Sequence, residues 1–533
     1  MSSEAEPQLG ASATGREWAG LAVLALPTFL LALDLSVLFL ALPHLSADLG
    51  PSSTQWLWIT DIYGFMVAGF LLTMGGLGDR IGRRKLLLIG ATAFAVASVL
   101  AAYSDSAVML IATRALLGVA GATLMPCALA LIRTMFTDTA QRSMAIGMWM
   151  SSFLLGAALG PLIGGLLLEW FWWGSVFLLA VPVMALLLIV GPMVLPESRD
   201  ADAPRIDLLS IVLSLAAILP VIYGSKELAV DGVGLPALIA IAIGLASGVV
   251  FVRRQNKLLH PLIDLRLFSS RTFSTALAGQ VLIGVIFSGI ALFLTQYLQV
   301  VKGLSPLQTG LWLLVPSLVM IVGSLASPVV AQKIRPGYVV GAGLIVTATG
   351  GVVLTAVGPE SGLALIITGF TLAYFGGGPI AVLATDLIVN SAPPEKAGSA
   401  SAISETGAEL GFAMGVATLG SVGAAVYQSQ MGDLGTAVPA DAAAKAQESI
   451  GAAASAAGEL PAASSQVLFD TAREAFSSAV SVIGGVSAVI AVGLAVVISL
   501  MLRHVRLGDG QEGGDAQAAK DSGSMDDLAE QPN

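Results

Sequence analysis

Five charged side chains sit inside stretches too apolar to solvate them. Asp34 interrupts "LALDLSVLFLALP" (31–43), and Asp61 interrupts "WLWITDIYGFMVAGFLL" (56–72). Arg114 opens "RALLGVAGA", and Glu405 and Glu409 lie in "SETGAELG". An ionised group at the centre of an apolar span costs about 2.5–3.5 kcal/mol on insertion scales, so such residues face a bundle interior or a watery path. A carboxylate there can be neutralised by a proton or by an organic cation, and its bare charge is expensive in a low dielectric. Two ligands that alternate on one acid give exchange without any covalent step. Glu405 and Glu409 are spaced i, i+4 and share one helix face, where they offer two negative charges. The plainer reading of Asp34, Asp61 and Arg114 is a structural ion pair or cap near an interface. For Glu405 it is a span that begins later and leaves the acid wetted. Asp386, near the end of its apolar run, reads as a snorkelling structural acid. Trp58, Tyr63, Phe65, Met66, Trp149, Met150 and Phe153 lie near the acids in sequence, and as a group they suit stacking on a flat cation.

These groups need a scaffold, and the composition says which kind. The 533 residues are 56% hydrophobic and 11% charged, with a mean hydropathy of +0.86. Soluble domains carry about 25% charged residues, so the chain reads as an all-α integral membrane protein. A transmembrane helix needs about 20 mostly apolar residues. Fourteen runs qualify: 18–41, 55–76, 84–103, 107–132, 144–167, 174–195, 207–225, 233–252, 274–300, 307–331, 337–357, 362–389, 398–426 and 477–502. An even number puts both termini on one side. With that side taken as cytoplasmic, twenty of the 25 lysines and arginines fall in inside segments. Four (Lys226, Lys302, Lys445 and Arg473) fall outside, and Arg114 lies within a span. This bias is the positive-inside pattern. At about 1.5 Å rise per residue, Asp34, Asp61 and Arg114 all fall in the outer half of the first helices. No cleavable leader is expected, since residues 1–17 are polar and the first apolar run is too long for one. Residues 427–476 read as a long non-helical extracellular loop, and 504–533 as a disordered cytoplasmic tail.

The same residues exclude other chemistries. A single cysteine, Cys127, rules out an intramolecular disulfide or a cysteine-based metal cluster. His44, His260 and His504 have no ligand spacing, so no metal and no catalytic residue is expected. The net charge of −10 comes from termini and loops, and no basic patch suits nucleic acid. An intramembrane enzyme would need paired histidines and acids that are missing here. A membrane-embedded sensor that binds a ligand without moving it remains, distinguished by flux under a pH gradient.

A repeat narrows the fold. The loop "GGLGDRIGRRKLL" (75–87) has a blurred copy in "VVAQKIRPGYVV" after the tenth run, with Gln332, Lys333 and Ile334 where Asp79, Arg80 and Ile81 stand. Two related halves separated by two extra spans read as six plus two plus six. Gly75–Lys85, with Gly75, Asp79, Arg80, Gly82 and Arg83, resembles the first signature loop of the major facilitator superfamily. "RALLGVAGA" resembles its span-four motif. "GAALGPLIGG", with Gly156, Gly160, Pro161, Gly164 and Gly165, resembles the span-five motif of its antiporters. The residues around Asp61, the fourteen-span count and "SETGAELG" extend the likeness to the fourteen-span drug:proton antiporters of quaternary ammonium compounds and dyes.

What this resemblance implies is a major facilitator fold of 14 transmembrane helices. Its divisions would be a cytoplasmic tail (1–17), an N-terminal six-helix bundle (18–200), an inserted helix pair (201–265), a C-terminal six-helix bundle (266–503) and a tail (504–533). The implied function is multidrug efflux across the cell membrane, exporting lipophilic cations in exchange for protons by alternating access. It would need no cofactor beyond the proton gradient, and the protein would be a monomer in the bilayer. Asp34, Asp61, Arg114, Glu405 and Glu409 would couple proton to substrate. The 75–85 loop would act as a conformational latch, with Asp79 reaching a helix N-terminus. The glycines of 156–165 would make a kinked contact sealing the two halves. Some members of the family carry a further acid in span ten. This chain has none, so Glu405 and Glu409 become its second-charge candidates. The other reading within the family is an exporter of a lipid or endogenous metabolite.

Overall fold

In the computed structural model the described residues are 13–199, 207–230, 234–258, 261–393, 396–432 and 438–505. Seventeen α-helices fill them: α1 (Gly15–Leu49), α2 (Ser53–Ile81), α3 (Arg83–Ala102), α4 (Ala107–Met135), α5 (Thr139–Trp170), α6 (Ser175–Leu178), α7 (Ala180–Val194), α8 (Leu208–Val230), α9 (Leu235–Gln255), α10 (Arg271–Gln296), α11 (Pro306–Ala331), α12 (Pro336–Leu354), α13 (Leu363–Asn390), α14 (Ala397–Met431), α15 (Ala440–Glu448), α16 (Ile450–Gly458) and α17 (Ala462–Met501). An apolar environment leaves backbone groups no partner but one another, so helices are the natural outcome of these runs. Polar residues mark their starts. Ser52 with Gln55 and Ser305 with Gln308 form capping boxes at α2 and α11.

Thirteen helices are long and apolar enough to cross a membrane, and α2, bent by 52° near residue 72, makes fourteen. The protein is therefore an all-α, multi-pass membrane protein. Helices α1–α7 pack with one another, as do α10–α14 with α17, while α8 and α9 form a hairpin against α2 and α14. The two six-span sets also touch, through α5 with α11 and α2 with α14. The end of the molecule where α1 turns into α2 is called distal here, and the opposite end proximal.

Two expectations need correction. Residues 427–476 are largely helical, comprising the end of α14, all of α15 and α16, and the first turns of α17. Alanines spaced three and four apart drive this. Ala442 and Ala446 of α15 are buried, as are Ile450, Ala453, Ala456 and Ala457 of α16, and Leu468, Ala472, Ala475 and Phe476 of α17. An Ala/Ser/Gly composition reads as a linker until that period is noticed. The segment lies over the distal end, where Gly451 meets Pro43 and Ser46 of α1, and Glu448 accepts from the Ser53 backbone N–H at 2.7 Å. The second correction is Lys226. It is no loop residue but lies within α8, fully buried. Residues 1–12 and 506–533, including most of the two predicted tails, lie outside the described residues, as does His260.

Candidate functional site

Asp34 on α1 and Arg114 on α4 meet first. The guanidinium Nη1 donates to Asp34 Oδ2 at 2.9 Å, and Nε donates to the Ile59 carbonyl of α2 at 3.3 Å. The Arg114 guanidinium also lies 4.7 Å from the Tyr63 ring centroid and 5.9 Å from that of Phe177. Arg114 is 2% exposed and Asp34 13%, so the acid keeps one edge open while the cation is enclosed. This arrangement fixes the guanidinium between the carboxylate, a backbone carbonyl and two rings.

Asp61 is not with them. Its Oδ2 lies 2.7 Å from Lys226 Nζ, and both side chains are fully buried. The ammonium sits 3.9 Å from the centre of the Trp58 ring. In sequence Lys226 stands in "YGSKELAV", where one lysine ends an apolar run and nothing in the spacing says that the helix continues inward.

Between the two sets of six lies a cavity of about 280 Å³, near the lower end of the range for small-molecule sites. It is walled by α1 and α5 on one side and α10, α11, α13 and α14 on the other. Aromatic rings dominate: Phe39 stacks on Phe412 at 6.0 Å, and Tyr374 contacts both Phe287 (4.6 Å) and Phe370 (4.4 Å). Phe153 joins them from α5, and Glu409 supplies the acid. One carboxylate oxygen of Glu409 and one of Glu405 are shielded from solvent with no hydrogen-bond partner among the described residues. A buried acceptor in that condition calls for a proton or a cation.

The aromatic group expected near the acids divides accordingly. Phe153 lines the cavity, Trp58 holds Lys226 and Tyr63 abuts Arg114. Trp149 donates to Thr28 at 2.7 Å as a buried α1–α5 contact, Phe65 packs among buried apolar residues, and Met150 is exposed. The rings of α10, α13 and α14 were missed, because single aromatics in a fully apolar run carry no periodic signal. Asp386 is exposed.

The glycine run divides too. A Cβ on Gly156 would lie 2.2 Å from the Phe29 carbonyl oxygen, one on Gly160 2.1 Å from Ser36 Oγ, and one on Gly164 2.7 Å from Val37. Those three therefore seat α5 on α1 within one half. The contact between halves is made by the adjacent face. A Cβ on Gly165 would meet the Pro306 oxygen at 2.4 Å, and one on Gly310 the Pro161 oxygen at 2.2 Å. Residues four apart share a face, and one further along turns by about 100°. The seam tightens at the distal end, where Gln299 also donates to the Leu40 carbonyl at 3.0 Å.

Residues 75–85 form no loop but the end of α2 and the start of α3, joined at Gly82, and Asp79 pairs with Arg83 one turn on, in place of the helix N-terminus anticipated for it. Gly82 takes φ +110°, a conformation that side chains resist, and its missing Cβ would stand 2.6 Å from Glu197 Oε1. Glu197 accepts from the Arg84 backbone at 3.1 Å, and the Arg84 side chain donates to the Leu195 carbonyl at 2.9 Å. The junction thus grips the segment after α7. Gly75 lies near Pro126 of α4, and Arg80 is exposed.

The sequence matches the Major Facilitator Superfamily over residues 24–416. It is 43% identical to the "Multidrug efflux pump LfrA" of Mycolicibacterium smegmatis, covering 92% of this chain and 97% of that protein. It is 35% identical to the "Methyl viologen resistance protein SmvA" of Salmonella typhimurium, over 90% and 98%. It is 34% identical to the "Tetracenomycin C resistance and export protein" of Streptomyces glaucescens, over 79% and 78%. Among solved structures, a bacterial homolog of the human lysosomal transporter Spinster, inward-facing and unoccupied, superposes with a TM-score of 0.62 at 16% identity, over 92% of this chain and 99% of that one.

Proposed function

Because the chain belongs to the major facilitator superfamily, and is thereby a membrane transporter and no enzyme, we propose that it is a proton-coupled multidrug exporter of lipophilic cations. Quaternary ammonium compounds, dyes and antiseptics are the class that this reading assigns to it. The observation that carries this reading is Glu409, an acid with an unpartnered oxygen, set in a wall of aromatic rings. Rings attract flat cations through their faces, and the carboxylate supplies the opposite charge. The printed names of the relatives agree in kind. One is a multidrug efflux pump, and another confers resistance to methyl viologen, a flat dication.

Exchange follows from neutralisation. In this reading Asp34, with its open edge, and the Glu405–Glu409 pair accept either protons or the cation. The two halves swing easily only when those charges are compensated. Arg114 holds Asp34 in place, and the Asp79–Arg83 junction sets the ease of the swing. Asp61, committed to Lys226, supports the scaffold. No cofactor is required. In this reading the proximal end faces the cytoplasm, which the lysine and arginine bias supports; both termini then lie on the cytoplasmic side of the cell membrane, and this conformer is closed to the outside. In this reading the exporter works as a monomer.

The test is purified protein in liposomes, with ethidium movement followed with and without an imposed pH gradient. Gradient-dependent flux, at least several-fold above the ungraded rate, is expected. Equal rates under both conditions remove proton coupling, and no flux in either removes efflux of this substrate class.

A further inference from the structure

Helix α8 contacts both halves of the molecule, and it does so by different chemistry on each side. Toward α2 it sends Lys226, whose ammonium occupies a carboxylate–indole cage made by Asp61 (2.7 Å) and Trp58 (3.9 Å to the ring centre). It also sends Leu215, which fits where Gly69 lacks a side chain: a Cβ there would lie 2.5 Å from Leu215 Cδ2. On the α14 side its buried contact is apolar, in a cluster that also takes in Phe65 of α2. Ile222 shares a buried cluster with Phe65, Ala413 and Ala417, with Ile218, Leu219, Leu410 and Met414 at its border. The α2–α14 seam that α8 covers is itself close, since a Cβ on Gly64 would stand 2.9 Å from the Ala413 side chain.

The two attachments differ in what sliding does to them. Apolar contact is non-directional and re-forms after a shift. A buried ion pair is directional, and parting it leaves two uncompensated charges in a low dielectric. Helix α9 is bound to α8 as one body. Arg254 donates to Asp207 through Nε at 2.8 Å and Nη2 at 2.9 Å, Gln255 donates to Ser210 at 2.7 Å, and a Cβ on Gly224 would meet the Ala237 carbonyl oxygen at 2.5 Å.

We infer that Lys226 is an internal counter-cation that locks the α8–α9 hairpin to the N-terminal half, so that the hairpin travels with α2 and slips over α14 when the halves rock. The inference rests on the transport reading for the motion, but the docking itself does not. It also removes Asp61 from the substrate path. The cage that an aromatic cation would use there is filled from within by a tethered ammonium.

The test uses the full chain with Cys127→Ala and two cysteine pairs, Gly69→Cys/Leu215→Cys (α2–α8) and Ile222→Cys/Ala417→Cys (α8–α14). Each is closed in proteoliposomes with a short, reducible bis-thiosulfonate. Ethidium flux under a pH gradient should keep at least half its rate across the α2–α8 tether. It should fall at least tenfold across the α8–α14 tether and return on reduction. Free flux through the α8–α14 tether, or a block by the α2–α8 tether, overturns the slip. A second arm needs no transport. Lys226→Met should lower the α2–α8 cross-linking yield at least threefold. Asp61→Asn/Lys226→Met, which leaves no bare charge and so guards against misfolding, should stay below half the parental yield. Parental yields in these variants overturn the docking role. If the untethered protein moves no ethidium, the efflux reading fails, while the cross-linking yields still decide the lock.

Discussion

Arg114 stands 2.9 Å from Asp34, and the arginine is the more deeply enclosed of the two, at 2% exposure against 13%. The asymmetry gives the pair a direction. Arg114 is held by a second bond to the Ile59 carbonyl and by two ring faces. Asp34 has an open edge, and under the proposed exchange an incoming proton or cation competes there with the guanidinium.

The first prediction concerns that pair. Asp34→Asn should reduce gradient-driven ethidium flux at least tenfold with insertion near the parent's, and should also lower the melting temperature, because it leaves the enclosed guanidinium without its counter-charge. Arg114→Gln should lower it as well, since removing one partner of a buried pair costs about 3–5 kcal/mol. The double variant Asp34→Asn/Arg114→Gln should recover part of that loss, measured as melting temperature in detergent. A double variant less stable than Arg114→Gln would show that the charges do not act as a pair.

A second prediction separates Glu405 and Glu409 by ligand charge. Coulomb attraction scales with the charge of the ligand. Replacing either acid with Gln should therefore weaken a bis-cationic biocide more than a monovalent dye of similar bulk, by about the square of the factor for the dye. Glu409→Gln should have the larger effect, since Glu409 lines the cavity. Equal losses for both ligands would assign the pair to gating or proton transfer.

The junction after α2 gives a third. Gly82→Ala places a methyl in a φ of +110° and against Glu197, where strain of about 1–3 kcal/mol is expected. Turnover of every substrate should slow by a similar factor, and so should that of Asp79→Asn, which breaks the pair with Arg83. Relative affinities should not change. A defect confined to one substrate would argue for a binding role.

Much of this was legible before any coordinates, and the reasons are physical. Membrane spans advertise themselves by length and apolarity, so the fourteen runs and their order came through. The acids were visible because charge in such runs is rare. Pairing was not. Asp61 and Lys226 are 165 positions apart in number, and nothing in either local sequence encodes the other. The glycines at 156, 160 and 164 announced close packing but not against what, and the answer was α1 rather than the opposite half. The cavity's aromatic wall, drawn from α1, α10, α13 and α14 as well as α5, is set by which helix faces converge, and uniformly apolar helices do not declare their faces.

Outside the spans, Asp207 offers a pH test. Its bonds to Arg254 hold its pKa down at about 2, against about 3.9 for a free aspartate. A depressed carboxylate contributes stability that is present above the unfolded value and is lost as pH falls through the folded one. The base of the α8–α9 hairpin should therefore loosen between about pH 4 and pH 2. Protection against hydrogen exchange at residues 207–212 and 250–256, taken relative to the intrinsic rate at each pH, should fall over that window in the parent. In Asp207→Asn it should already be low at pH 5 and should change little on acidification. Identical profiles for the two proteins would leave the pair without a role in holding the hairpin.

The distal seam supplies the last prediction. Gly310 faces the Pro161 carbonyl oxygen so closely that a Cβ would sit 2.2 Å from it, and Gly165 faces Pro306 in the same way. Both neighbours are backbone and cannot swing aside. Gly310→Ala should therefore penalise this conformer specifically, by about 1–3 kcal/mol as an overpacked contact, while a conformer in which α5 and α11 part at this end is spared. About 2 kcal/mol changes a two-state ratio by roughly 30-fold, so the population should move toward the distal-open form. Spin labels at Glu169→Cys on α5 and Leu311→Cys on α11, both exposed positions, should report this in a Cys127→Ala background as a new, longer distance population. Ethidium flux should fall in step, because a carrier biased to one side returns slowly. If the distances match the parent's and only the melting temperature drops, the glycines serve packing alone, and the seam is not the gate.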